Sequence, residues 1–94
     1  MKNTYLSNGI MLEMLKKVQN LQAEIIISGR SCHLDAGVYE DHFFEAGTHI
    51  SFDVTVFDEH ELVREFDFSS NLTEEELKEE YQCLVAYVNR IKSE

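Results

Sequence analysis

Apolar residues recur at Ile10, Met11, Met14, Leu15, Val18 and Leu21. Steps of three and four put them on one stripe of a helix. Ser7 or Asn8 suits its N-cap, Lys16 and Lys17 fall on the opposite face, and the pattern lapses near Gln22. Glu24-Ile25-Ile26-Ile27-Ser28 follows, bounded by Gly29. Three successive β-branched residues read as a strand, with room to continue through Arg30-Ser31-Cys32. Alternation is clearest at Ile50, Phe52, Val54 and Val56, interleaved with Ser51, Asp53 and Thr55. That is the period of a half-buried strand, and residues 62–68 are its expected hairpin partner. The last segment carries apolar residues at Leu77, Tyr81, Leu84, Val85, Val88 and Ile91, with Cys83 beside them as a small packed residue. Thr73 and Glu76 have the spacing of a capping box, and Leu72 and Leu77 that of a hydrophobic staple.

Parity selects the hairpin register. A two- or four-residue loop sets Val56 opposite Val63 and turns Glu65 and Asp67 toward the core. An odd loop of Asp58-Glu59-His60 instead pairs Val56 with Leu62, Val54 with Arg64, Phe52 with Phe66 and Ile50 with Phe68. The odd loop is preferred because it keeps the apolar residues together. It predicts an outward face with Asp53 opposite Glu65 and Ser51 opposite Asp67. Residues 33–48 have no clear period. His33–Tyr39 reads as a short strand with a turn, and Glu40–Gly47 as a helical turn in which Phe43 and Phe44 pin the segment to the core. The expected fold class is α+β, with the N-terminal and C-terminal helices packed on one face of a small antiparallel sheet of three or four strands.

Ninety-four residues make a single domain, 1–94. The leading residues lack a long apolar run, so the expected location is the cytoplasm, without a membrane span. Cys32 and Cys83 form no C-x-x-C pair and are expected as free thiols.

Charge changes the picture. Fifteen of the 18 acidic residues lie between Asp35 and Glu80, opposed only by Arg64 and Lys78, so this segment carries −13 of a whole-chain −10. Such a field repels nucleic acid and anionic membranes and attracts basic protein surfaces. On the sheet it would come from Asp53, Glu65 and Asp67, at the hairpin tip from Asp58, Glu59 and Glu61, and on the last helix from Glu75, Glu79 and Glu80. Tyr39, Phe57 and Val63 are the candidate apolar anchors of such an interface.

Other chemistry is poorly supported. His33, Asp35, Asp41, His42, Glu45 and His49 are suitable metal ligands in type, and His60 sits among acids, but their spacing matches no established site. No cofactor is expected. Ser28, Ser31 and Cys32 lie near His33, yet strand neighbours point to opposite faces and no nucleophile elbow accompanies them. Phosphate-binding glycine patterns are absent, so the chain does not read as an enzyme.

In size, acidity and α+β layout the chain resembles the small inhibitors made by phages and mobile elements, including anti-CRISPR proteins that mimic nucleic acid. The resemblance covers the whole chain as composition and layout, without a motif. It implies a stoichiometric inhibitor of a basic nucleic-acid-processing protein, a Cas nuclease being one candidate target. The alternatives are a structural or accessory self-associating module, and a metal-binding protein centred on His33, His42 and His49.

Overall fold

The computed structural model describes residues 5–41, 47–58 and 61–93, though not the side chains of Tyr39, Glu40, Asp41, Gly47 and Glu61. In order the elements are α1 (Asn8–Ile27), β1 (Ser31–Asp41), β2 (Gly47–Asp58), β3 (Glu61–Phe68) and α2 (Glu74–Lys92). The strands form one antiparallel sheet in the order β1-β2-β3. Phe52, Val54, Val56, Phe66 and Phe68 from one sheet face share a single core with Met11, Met14, Val18 and Ile25 of α1 and Leu77, Leu84, Tyr87, Val88 and Ile91 of α2. Both helices therefore cover the same face, as expected for the fold class. No helix among the described residues is long and apolar enough to cross a membrane.

Helix starts follow their caps. Ser7 Oγ accepts from the Ile10 N–H at 3.2 Å. Thr73 Oγ1 accepts from the Glu76 N–H at 3.1 Å, and Glu76 returns a bond to the Thr73 N–H at 3.0 Å, completing the capping box.

The end of α1 corrects the sequence reading. Residues 24–27 are the last turn of the helix, not a strand. Ile25 lies four positions beyond Leu21 and continues the stripe; it is 0% exposed, whereas Ile26 and Ile27 are 52% and 80% exposed. Packing of one isoleucine outweighs the strand preference of three. The helix stops at Gly29, whose φ of 95° is accessible to glycine at little cost.

The strand expected at His33–Tyr39 is present, but it is longer than expected and has no turn. Residues 31–41 form a continuous strand paired along its length with β2, from Ser31↔Phe57 to Asp41↔Gly47. Glu40 and Asp41 thus belong to a strand rather than a helical turn; His42, Phe43, Phe44 and Glu45 lie outside the described residues. Cys32, Leu34, Ala36 and Val38 alternate with His33, Asp35 and Gly37, a pattern blurred in the sequence by small and polar residues.

The β2–β3 register differs by two residues from the expected one. Phe52 pairs with Phe68, Val54 with Phe66 and Val56 with Arg64, and then the register shifts so that Phe57 pairs with Leu62 and Asp58 with Glu61. The strands therefore approach across Glu59 and His60, an even loop, and Val63 is the extra residue of a bulge. The bulge restores the parity that the odd loop was invoked to supply, so Phe66 and Phe68 still face the core. It also turns Leu62 toward solvent opposite Phe57; Leu62 is 58% exposed and is not a core residue. Cys83 is likewise exposed rather than packed, and both cysteines are free.

Candidate functional site: the acidic outer face of the sheet

Because alternate residues point to opposite faces, helix coverage of one face leaves the other to His33, Asp35 and Gly37 of β1, Ser51, Asp53 and Thr55 of β2, and Glu65 and Asp67 of β3. The register brings acids into line. Asp35 pairs with Asp53, and Asp53 with Asp67, one aspartate per strand straight across the sheet. In the next row His33, Thr55 and Glu65 are partners. Carboxylate oxygens of Asp53, Glu65 and Asp67 all lie within 4.8 Å of one another. The expected opposition of Asp53 to Glu65 is thus replaced by two direct aspartate pairs, while the acidic face itself is retained. Asp35, absent from the expected interface, is the residue missed; the alternation in residues 32–38 was the signal for it.

Like charges directly opposed on neighbouring strands cost ~0.2–1 kcal/mol per pair. Burying one Phe of the Phe66 or Phe68 type contributes roughly 1.5–3 kcal/mol, so the core carries this repulsion. The half-buried Asp53 carboxyl is pushed up from its ordinary pKa, first by burial and then by the charges of Asp35 and Asp67. No described basic residue forms an ion pair with Asp35, Asp53, Glu65 or Asp67; Arg30 pairs instead with Asp58 at 3.8 Å, and Lys92 with Glu24 at 3.6 Å.

A groove of about 590 Å³ opens beside the aspartate row, lined by Asp35, Gly37, His49, Ser51, Asp53, Asp67, Ser69 and Leu72 among others. One end is built by a polar cluster. His49 Nδ1 and Ser70 Oγ are hydrogen-bonded at 2.7 Å, the Ser70 N–H donates to Ser51 Oγ at 3.0 Å, and the Tyr5 ring stacks on His49 at 4.0 Å. Leu6 N–H donates to the Ser70 carbonyl at 2.7 Å, tying the N-terminal segment to the β3–α2 connection. A His–Ser hydrogen bond resembles an activated nucleophile, but Ser70 is 0% exposed and beyond the reach of a substrate. The Cys32 thiol is held protonated, its pKa pushed up to about 11 by burial.

The remaining expected site residues are dispersed. Asp58 is exposed at the hairpin tip and paired with Arg30. Phe57 is half-buried, with the His33 ring edge-on at 5.7 Å, and Val63 is exposed in the bulge. Glu75 and Glu79 are exposed on α2. Glu80 is instead committed to the fold: its Oε2 accepts from the Asp67 N–H at 3.0 Å. Glu59 and the side chains of Tyr39 and Glu61 lie outside the described part of the molecule. A smaller groove of about 350 Å³, lined by Asp67, Glu76, Glu79, Glu80 and Cys83, extends the acidic surface onto α2.

A metal centre on His33, His42 and His49 is not assembled. His49 pairs with Tyr39, six residues along β1 from His33, a separation of ~20 Å at ~3.3 Å per residue. His42 is outside the described residues. Among the described residues the group able to share a cation is Asp53, Glu65 and Asp67, an all-oxygen set suited to hard cations rather than zinc. No family model, curated protein or solved structure matches the chain.

Proposed function

We propose that the chain is a binding protein that occupies a basic surface of a nucleic-acid-processing protein in the cytoplasm, acting stoichiometrically by occlusion rather than by turnover. The observation that carries this reading is the aspartate row Asp35–Asp53–Asp67, joined by Glu65 and free of basic partners among the described residues. A chain selected only for folding would mix signs across these positions and avoid the cross-strand repulsion. Arginine or lysine on a partner would relieve that repulsion and form charge-assisted hydrogen bonds with the same carboxylates.

Spacing supports mimicry of a nucleic-acid backbone. Carboxylates two residues apart on one strand, such as Glu65 and Asp67, are ~6.6 Å apart, close to two steps of ~3.4 Å along a DNA strand. Anti-CRISPR-like inhibition of a Cas nuclease is one form this activity would take. Phe57 and Val63, near the bulged end of the hairpin, would add apolar contact.

The test begins with capture of a partner from the native host by immobilised protein, eluted with graded salt. Replacing Asp53, Glu65 and Asp67 with lysine should leave the circular dichroism spectrum intact. Association should slow by ~10-fold or more and lose most of its salt dependence. A folded variant that kept the parental association rate and salt slope would remove this face as the interface.

A further inference from the structure

The two open edges of the sheet differ, and two hydrogen bonds show how. Asp67 donates its N–H to Glu80 and not to β2. Asp53 and Asp67 are therefore a non-hydrogen-bonded pair, and Asp53 directs its own N–H and C=O toward β1. Asp35 must then point inward to β2, leaving Cys32, Leu34, Ala36 and Val38 with N–H and C=O pointing outward. Gln22 Nε2 donates to the Cys32 carbonyl at 3.3 Å from outside the sheet, in agreement with this assignment. The Gln22 side chain covers the Cys32 end. Beyond it, the outward backbone groups of Leu34, Ala36 and Val38 have no partner among the described residues. Ala36 is exposed, and Val38 is 66% exposed on the otherwise apolar face.

Such an edge is a template for another strand, and charge decides which strand fits. On β3 the outward residues are Glu65 and Asp67, one already capped by Glu80. A two-fold pairing of that edge with itself, centred anywhere from Glu65 to Asp67, sets acid against acid. On β1, an antiparallel pairing centred on Ala36 sets Ala36 against Ala36, Leu34 against Val38 and Asp35 against Gly37 of the second copy. No carboxylate opposes another, and the apolar residues meet each other. Every outward residue faces an outward residue, so three pairs exchange hydrogen bonds. Centring on Asp35 instead would oppose two aspartates, and centring on Gly37 would set Leu34 against Glu40, where the Ala36 register sets the more polar Cys32.

We propose that two copies of this chain join edge to edge through β1, in the Ala36-centred register, to form one six-stranded sheet. Its order would be β3-β2-β1-β1-β2-β3, with all four helices on one face and both acidic rows on the other. This inference rests on the β1 edge and not on the partner reading above. The net charge of −10 per copy opposes association, so the dimer tightens as salt is added.

Sedimentation equilibrium of the purified protein from micromolar to millimolar concentration, at low and high salt, tests it without any partner. The expected result is a mass rising from one chain to two, at lower concentration when salt is high. Ala36→Pro removes an outward N–H that makes no bond to any described residue, and a folded variant should lose the dimer. Val38→Lys leaves the backbone intact and should also lower the mass twofold, which keeps the test decisive if the proline variant fails to fold. Amide exchange at Leu34, Ala36 and Val38 should slow with concentration in the parent alone. A parent of single-chain mass at millimolar concentration in high salt would overturn the proposal. So would a dimer that survives Val38→Lys.

Discussion

Asp53 is the residue where folding and the proposed function pull hardest against each other. It sits between two aspartates at the centre of the sheet, half-buried, with its pKa raised by burial first and then by Asp35 and Asp67. The sign of its effect on stability follows from linkage. A carboxyl whose folded pKa lies above its unfolded value gives up stability as pH rises through the folded value, and gives up none below the unfolded value. Asp53→Asn should therefore stabilise the protein near neutral pH, by ~0.5–1 kcal/mol if relief of two cross-strand repulsions dominates. The gain should vanish below the ordinary aspartate range of ~3.9. Urea unfolding of parent and variant at neutral pH and at low pH checks both halves. An equal gain at both would assign the effect to packing and not to charge. The same substitution should weaken partner binding, so the stabilised variant would be the less active one.

At the scale of elements, what was legible was what one periodicity could carry. The stripes from Ile10 to Leu21 and from Leu77 to Ile91, the Thr73–Glu76 capping box and the alternation from Ile50 to Val56 each specify an element without reference to the rest of the chain. Three features needed tertiary context. Ile25, Ile26 and Ile27 have strand preference individually, but only Ile25 is buried, and its contact with the core keeps the turn helical. The bulge at Val63 was hidden because an odd loop and an even loop with one extra residue satisfy parity equally well. β1 was obscured because its outward positions hold His33, Asp35 and Gly37, and with it went Asp35, a third of the aspartate row. Reassignment of the helix end makes a sharp contrast testable. Ile25→Ala should cost ~2–4 kcal/mol as a core truncation, whereas Ile27→Ala should stay within ~0.5 kcal/mol as a surface change. Chemical denaturation of the two variants measures the difference; similar costs would contradict the helical end of α1.

At the scale of the whole molecule, one sheet separates two kinds of energy: a face of apolar contacts that holds the fold and a face of like charges that strains it. Salt acts on them differently. Between ~10 mM and ~150 mM ionic strength the screening length falls from ~30 Å to ~8 Å, and most of the sheet-face carboxylates are solvent-exposed and open to that screening. The core pairs, such as Phe52 stacked on Phe68 at 4.9 Å, carry no charge and respond little over this range. Added sodium chloride should therefore raise the urea midpoint of the parent, and urea is the denaturant to use because it adds no ions of its own. The variant with lysine at Asp53, Glu65 and Asp67 mixes the signs on that face and should show a flatter salt response. Partner binding should move the opposite way, weakening over the same range as its ion pairs are screened. A parent midpoint that stayed level with salt would mean that the acidic face is not under electrostatic strain. The reason for a partner to relieve that strain would then go with it.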